Sequence, residues 1–156
     1  MANLSDIQSF LSKKRIAIVG VSRNPKDFSR SLYREFLRRG YDVVAVNPGA
    51  AEIDSKRCVG AIKDILPPPE AVLVMTGAGV TEQIVRDCKA ASVRNVWTYG
   101  MRGKATLSTG LSDECNASGM KVVEGECPFM YLPNGAGIHR FHGFLRKVFR
   151  SYPIWR

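Results

Sequence analysis

Long apolar runs, close-spaced cysteines and acidic residues are all scarce in this chain of 156 residues. No stretch approaches the roughly 18 consecutive apolar residues of a transmembrane helix, so we expect no membrane span. The four cysteines show no C-x-x-C spacing, which favours reduced thiols in a cytoplasmic protein over a disulfide framework. The N-terminus has neither a basic segment nor an apolar one, and we therefore expect no secretory signal.

The scarcity of acidic residues leaves an excess of positive charge. There are 23 Lys and Arg residues against 14 Asp and Glu residues, for a formal net charge of +9. Such a charge can serve nucleic-acid binding, attract a polyanionic small molecule, or merely keep solvated faces soluble. No recognisable nucleic-acid recognition module accompanies the charge, so nucleic-acid binding is a secondary alternative.

Short apolar runs alternate with helical patterns along the chain. This order predicts an α/β fold, a single Rossmann-like doubly wound domain whose mainly parallel, five-stranded sheet carries helices on both faces. Segments that are continuously apolar predict strands buried on both faces. The predicted strands are Ile16–Val19, Tyr41–Val46, Ala71–Met75, Asn95–Trp97 and Met120–Val123, and residues 50–70 are predicted to be irregular.

Apolar residues at helical spacing predict the helices, and the last of these lies in a C-terminal extension. We expect a domain at residues 1–133 and a basic extension at 134–156, whose amphipathic helix Ile138–Phe149 packs on the domain or joins a homodimer. Attachment to a membrane surface is the alternative for this helix. The other predicted helices are a short one with Leu4, Ile7 and Leu11 capped by Asn3 or Ser5, then Phe28–Arg39, a segment whose inner face carries Val80, Ile84, Val85 and Cys88, and Ala105–Ser118.

The first strand opens into a glycine turn at Gly20 and then into a helix. Backbone N–H groups and the positive end of the helix dipole converge at such a turn, which favours a phosphorylated ligand. In an open parallel sheet the ligand crevice lies at the carboxyl ends of the strands, where Gly100 and Gly125 also occur. These positions predict one binding site at that edge.

A nicotinamide dinucleotide is the first candidate ligand, yet its fingerprint is incomplete. The G-x-G-x-x-G pattern needs three glycines where this turn offers only Gly20, and Asn47 and Pro48 stand where an acidic residue would bind the ribose. Arg23, Lys26 and Arg30 also bring more positive charge than one diphosphate requires. An NAD(P)-binding oxidoreductase or redox-sensing protein is therefore the main alternative.

Four motifs occur in order along about residues 12–125. They are Ile18–Pro25 (IVGVSRNP), Gly40–Pro48 (GYDVVAVNP), an apolar strand before Thr76 and Gly77, and Val96–Gly100 (VWTYG). Together they resemble the small coenzyme A-binding proteins whose Rossmann-like domain also occurs in the succinyl-CoA synthetase alpha subunit. The combination of the first two motifs is specific, although either alone would be weak.

The resemblance implies that coenzyme A (CoA) or an acyl-CoA binds at the carboxyl ends of the strands. Since CoA carries a 3′-phosphate besides its diphosphate, it gives the additional Arg and Lys residues a role. The resemblance places the diphosphate on Gly20, Ser22, Arg23, Ser29 and Arg30, the adenosine end against Asn47, Pro48, Thr76 and Gly77, and the pantetheine arm past Tyr99 and Gly100.

No motif indicates catalysis or a metal site. A G-x-S-x-G elbow, a P-loop and an H-E-x-x-H motif are all missing, and we do not expect the synthetase reaction. His139 and His142 could join Cys127 as zinc ligands, but only one close-spaced pair exists, so no metal is expected. Cys127 could form a mixed disulfide with a pantetheine thiol, although nearby Glu124 and Glu126 disfavour a thiolate and an inert cysteine is expected.

Overall fold

The structure, a computed structural model, describes residues 3–100 and 107–133. Within these ranges it contains seven strands, four α-helices and two short 3₁₀-helices. The strands are β1 (Arg15–Val19), β2 (Asp42–Val46), β3 (Glu52–Ile53), β4 (Lys56–Val59), β5 (Ala71–Val74), β6 (Asn95–Thr98) and β7 (Lys121–Glu124). The α-helices are α1 (Leu4–Leu11), α2 (Phe28–Arg38), α3 (Ala78–Ala90) and α4 (Thr109–Ala117), and the 3₁₀-helices are Ile62–Asp64 and Pro128–Met130.

The strands form one sheet in the order β3-β4-β2-β1-β5-β6-β7. Every neighbouring pair is parallel except β3 and β4, which form an antiparallel hairpin at the edge. The predicted doubly wound α/β fold is therefore confirmed, with seven strands in place of five.

The two additional strands correct the prediction that residues 50–70 are irregular. The β3–β4 hairpin turns at Asp54 and Ser55, which both have positive φ angles, of 48° and 60°. Two-residue hairpin turns of this kind are normally recognised in a sequence by Asn-Gly or Asp-Gly, and this turn contains no glycine. Strands of two and four residues are also too short to show a clear alternation of apolar and polar residues.

Each face of the sheet carries its own apolar core. Ile16 and Ile18 of β1 pack on the face covered by α1 and α2, whereas Ala17 and Val19 pack on the face covered by α3 and α4. Because both faces are covered, the central strands need apolar residues at successive positions. This explains why the buried strands are continuous apolar runs in the sequence.

The helices agree with their predicted positions except in the first turn of α3 and at the start of α4, where Leu107 and Ser108 precede the helix instead of belonging to it. The Asn3 side chain caps α1 by accepting a hydrogen bond from the Ser5 N–H at 3.0 Å, which decides between the two predicted caps. Val80, predicted on the inner face of α3, is 54% exposed, and Thr81 is buried instead. The Thr81 hydroxyl bonds to the carbonyl oxygens of Thr76 and Gly77, at 3.2 and 3.1 Å, which turns that residue inward.

The C-terminal extension at 134–156 and the first residues of the predicted helix Ala105–Ser118 lie outside the described residues. The amphipathic helix Ile138–Phe149 and its part in a homodimer therefore stay predictions. Among the helices of the described ranges, none has the length and apolar character needed to cross a membrane.

Glu35 on α2 provides a test of the electrostatics of the fold. It accepts hydrogen bonds from Arg38 and Arg39, which lower the pKa of its carboxyl group to about 2. An unfolded Glu titrates near about 4.3, so the ion pairs stabilise the fold above that pH and are lost as the pH falls towards 2. We expect Glu35→Gln to lower the free energy of unfolding at pH 7 by about 1–2 kcal/mol, measured by urea denaturation.

The matched control is Asp42→Asn, which removes the ion pair with Arg15, where the Asp42 side chain is 60% exposed. An exposed pair contributes less than about 1 kcal/mol, so the control should change little. The difference between wild type and Glu35→Gln should disappear between about pH 4 and pH 2. A difference that persists unchanged at the acid end would contradict this electrostatic account.

Candidate functional site

The chain leaves the central strands β1 and β5 in opposite directions, and a cleft opens between their carboxyl ends. After β1 it runs through α2 to β2, and after β5 it runs through α3 to β6. Such a switch point is where open α/β sheets bind ligands, and the cleft volume of about 390 Å³ suits a small molecule. The cleft is lined by Gly20, Ser22, Asp27, Phe28, Ser29, Met75, Thr76, Gly77, Ala78 and Gly100.

Gly20 forms the base of this cleft and has two reasons to be glycine. Its φ angle is +91°, a conformation that residues with a Cβ rarely adopt. A Cβ at this position would also lie 2.5 Å from the carbonyl oxygen of Met75. The Gly20 N–H donates to the Val46 carbonyl at 2.9 Å, so the turn is fixed against both neighbouring strands.

The loop between β1 and α2, residues 20–27, is held by its own short polar side chains. The Ser22 hydroxyl accepts from the Asn24 N–H at 3.1 Å, and the Asn24 side chain accepts from the Lys26 N–H at 3.0 Å. Buried Ser29 accepts from the Ser22 N–H at 2.9 Å. Ser22 and Ser29, predicted to contact a diphosphate, thus line the cleft and also shape the loop.

A carboxylate already occupies the N-terminus of α2. Asp27 caps this helix, since its side chain accepts from the Ser29 N–H at 2.8 Å and from the Ser29 hydroxyl at 2.5 Å. A negative charge at this point satisfies the helix dipole that was predicted to attract the ligand. The N-terminus of α2 is therefore a less favourable anion site than the sequence indicated.

The N-terminus of α3 lies at the other side of the cleft and has no side-chain cap. Its N-cap residue is Gly77, and both Gly77 and Ala78 line the cleft. The N–H groups of Ala78 and Gly79 have no acceptor among the residues that the structure describes. Thr76 is held by a 2.9 Å hydrogen bond between its hydroxyl and that of Thr81. The predicted pair Thr76 and Gly77 thus belongs to the cleft.

Arg30 differs from its prediction as a phosphate contact. Its side chain is buried, with 7% exposed, and lies outside the lining of the cleft. One guanidinium nitrogen donates to the carbonyl oxygens of Ser22 and Arg23, at 3.2 Å each, and another pairs with Asp54. Arg30 supports the loop from behind because the hairpin that carries Asp54, missed in the sequence, supplies its partner.

Arg23 and Lys26 lie beside the cleft and do not line it. Both are exposed in the loop between β1 and α2, and neither forms an ion pair with any residue in the described ranges. Their charge is therefore not compensated within that part of the chain. Arg23 is the predicted cation that the structure leaves accessible.

The predicted adenosine contacts Asn47 and Pro48 follow β2 beside the cleft and do not line it. The Asn47 amide donates to the Val21 carbonyl at 2.8 Å, and its oxygen accepts from the Gly49 N–H at 2.8 Å. Asn47 thus ties the loop after β2 to the loop after β1. Pro48 is exposed.

An aromatic cluster forms one wall of the site. Phe28, the first residue of α2, lines the cleft, and its ring lies 5.8 Å from that of Tyr99 and 5.5 Å from that of Phe129. Tyr99, predicted beside a pantetheine arm, therefore supports this wall, whereas Gly100 lines the cleft itself. Phe28 and Met75 were missed as site residues because apolar residues in a sequence are indistinguishable from core.

The cysteines form no disulfide, and burial raises the pKa of the thiols of Cys58, Cys88 and Cys115. Cys127 is partly buried against the core beside α2. Within residues 3–100 and 107–133, no group of three His, Cys, Asp or Glu side chains is arranged to hold a metal ion. His139 and His142 lie outside those ranges.

A family model described as the CoA binding domain matches residues 14–133 of this chain. Solved structures with a similar fold include a hypothetical protein from Pyrococcus horikoshii OT3, which is 25% identical with a TM-score of 0.67 over 81% of this chain and 87% of that one. Another is cell-free ID.343 from Thermus thermophilus, 19% identical with a TM-score of 0.69 over 90% of this chain and 98% of that one.

Part of a larger enzyme also shares the fold. A dinucleotide-forming acetyl-coenzyme A synthetase 1 from Ca. Korarchaeum cryptofilum, in its apo form, is 22% identical with a TM-score of 0.56. The match covers 70% of this chain and 25% of the synthetase chain. At these identities, the likeness to the synthetase and to the Thermus protein shows the fold alone.

The close approach at Gly20 can be tested against a second glycine with a similar backbone. Gly40 has a φ angle of +86°, but a Cβ there would meet nothing within 4 Å. Gly40→Ala should therefore cost only the backbone strain of about 1–2 kcal/mol. Gly20→Ala adds the clash with the Met75 carbonyl and should lower the free energy of unfolding further, as measured by urea denaturation. Equal losses in the two variants would contradict the close approach.

Proposed function

We propose, because this chain belongs to the CoA-binding domain family, that coenzyme A or an acyl-CoA binds in the cleft at the carboxyl ends of β1 and β5. The observation that carries the proposal is the cleft itself, which joins a close-packed glycine turn to the uncapped N-terminus of α3. The name of the synthetase that shares this fold also includes acetyl-coenzyme A.

The phosphates of the ligand are proposed to lie between the loop after β1 and the first turn of α3. Arg23 offers an exposed cation, and the N–H groups of Ala78 and Gly79 offer unused donors. The Asp27 carboxylate would repel a diphosphate placed directly at the N-terminus of α2. We therefore propose that the diphosphate lies towards α3, away from the position expected from the sequence.

The remainder of the ligand is proposed to follow the apolar and polar rims of the cleft. Phe28, Met75 and Gly100 form a surface suited to the uncharged pantetheine arm. The adenosine end would then reach towards Asn47 and Pro48, whose loop is tied to the loop after β1. We propose binding without a catalytic apparatus, in the cytoplasm, where the four cysteines would stay reduced.

Calorimetric titration with CoA, acetyl-CoA, NAD and NADP tests this proposal, together with native mass spectrometry for a co-purified ligand. We expect saturable binding of CoA or acetyl-CoA with a stoichiometry of one per chain, and much weaker binding of both nicotinamide dinucleotides. Tight NAD or NADP binding without CoA binding would overturn the proposal. Oligonucleotide binding that survives physiological salt would favour the nucleic-acid alternative instead.

Arg23→Ala tests the proposed phosphate contact. If Arg23 donates charged hydrogen bonds to CoA, its loss should weaken binding by about 1.5–3 kcal/mol, which is at least roughly tenfold in affinity. Dephospho-CoA lacks the 3′-phosphate but keeps the diphosphate, so it shows which of the two Arg23 contacts. If Arg23 contacts the 3′-phosphate, Arg23→Ala should weaken the binding of dephospho-CoA less than that of CoA.

The control for Arg23→Ala is Lys14→Ala. Lys14 is exposed and immediately precedes β1, so it lies at the amino ends of the strands, whereas the cleft lies at their carboxyl ends. Lys14→Ala changes the net charge by the same amount as Arg23→Ala, so it reports how much the overall charge contributes to CoA affinity. An equal loss of CoA affinity in both variants would show that Arg23 acts only through the overall charge.

A further inference from the structure

Asp54 stands at the tip of the β3–β4 hairpin, outside the lining of the cleft. Together with Ser55 it forms a turn in which both central residues have positive φ, where glycine or asparagine is normally preferred. A residue with a Cβ in this conformation is strained, and it persists where its surroundings compensate the strain. The contacts of the Asp54 side chain supply that compensation.

Its carboxylate joins two arginines of α2. Arg34 binds it in a bidentate manner, at 2.7 Å to one oxygen and 2.9 Å to the other, and buried Arg30 forms an ion pair with the same group. The hydrogen bond from Arg34, together with the pairing to Arg30, lowers the pKa of Asp54 to about 2. The carboxylate therefore stays ionised across the neutral range and holds both guanidinium groups in place.

The two arginines in turn hold the loop between β1 and α2. Arg30 donates to the carbonyl oxygens of Ser22 and Arg23 at 3.2 Å, and Arg34 donates to that of Pro25 at 3.0 Å. In a planar trans peptide the N–H group points opposite to the carbonyl. Turning the Ser22 carbonyl towards Arg30 therefore directs the Arg23 N–H away from the arginine side.

We propose that Asp54 is a positioning residue for the ligand phosphates, acting through Arg30 and Arg34 on the loop at residues 22–25. This inference rests on the proposed CoA binding and assigns Asp54 no contact with the ligand. Without the carboxylate, buried Arg30 loses its counter-charge and the loop carbonyls lose their fixed donors. The ligand must then order the loop itself, which reduces its affinity.

A second carboxylate on the same helix provides a matched control. Glu35 also lies between two arginines, Arg38 and Arg39, and its pKa is likewise lowered to about 2. Within the described residues, the guanidinium groups of Arg38 and Arg39 donate their hydrogen bonds to Glu35 and to no residue of the loop between β1 and α2. Glu35→Gln thus removes a similar ion-pair cluster without touching the loop.

The experiment compares wild type, Asp54→Asn and Glu35→Gln by amide hydrogen exchange without ligand and by calorimetric titration with CoA. Asp54→Asn should speed exchange in residues 22–26 and weaken CoA binding roughly threefold to thirtyfold. In the double variant with Arg23→Ala, the loss of CoA binding free energy should be smaller than the sum of the two single losses. Glu35→Gln should destabilise the fold while leaving both the loop exchange and the CoA affinity at wild-type values.

Arg34→Gln serves if Asp54→Asn does not fold, because Arg34 is 46% exposed and its removal spares buried Arg30. It should show the same pattern more weakly. If amide exchange in the loop is the same in Asp54→Asn as in wild type, the positioning role is overturned. It is likewise overturned if wild type binds CoA and Asp54→Asn binds it with the same affinity. A wild type that binds no CoA overturns the proposed function instead, and the loop exchange rates then decide by themselves whether Asp54 positions the loop.

Discussion

The chain can turn from β1 towards α2 beside the Met75 carbonyl only because residue 20 has no side chain. This contact lies at the middle of the sheet, where the ends of the paired strands β1 and β5 form the base of the cleft. From that base the two following segments separate, one towards α2 and the other towards α3. The cleft depends on this arrangement, because a side chain at Gly20 would force the two strand ends apart.

Two sets of polar contacts then give the cleft its chemical character. Short side chains such as Ser22 and Ser29 fix the loop from within, while Asp54 and its arginines hold it from behind. The negative charge of Asp27 at one helix N-terminus leaves the uncapped N-terminus of α3 as the more favourable region for an anion. The cleft is thus asymmetric, because among the described residues a helix N-terminus with unused N–H groups, those of Ala78 and Gly79, lies on the α3 side.

The sequence predicts the central strands well because burial on both faces demands continuous apolar residues, as in Ile16–Val19. The glycine turn is equally visible, since a strand, Gly20 and a helix follow one another directly. The hairpin at Glu52–Val59 escapes prediction because it is short and its turn lacks glycine. Without this hairpin the sequence offers no partner for Arg30, so it predicts a phosphate contact for an arginine that supports the loop.

Other differences between the predicted and the observed positions of side chains also arise from tertiary contacts. Val80 fits the periodicity of α3 yet is exposed, because the hydroxyl of Thr81 bonds back to the end of the preceding loop. The sequence does not show that Phe28 and Met75 line the cleft, because core packing and ligand contact use the same apolar residue types. Sequence periodicity specifies which segments are helices and strands, but the contacts between segments decide which side chains face the cleft.

A crystal structure of the protein with CoA at saturating concentration is the most direct measurement of this account. It should show the diphosphate between Arg23 and the N–H groups of Ala78 and Gly79, with the pantetheine arm against Phe28 and Met75. The loop at residues 22–25 should keep the carbonyl orientations that Arg30 and Arg34 impose. CoA bound elsewhere on the chain, with the cleft between β1 and β5 empty, would contradict the account.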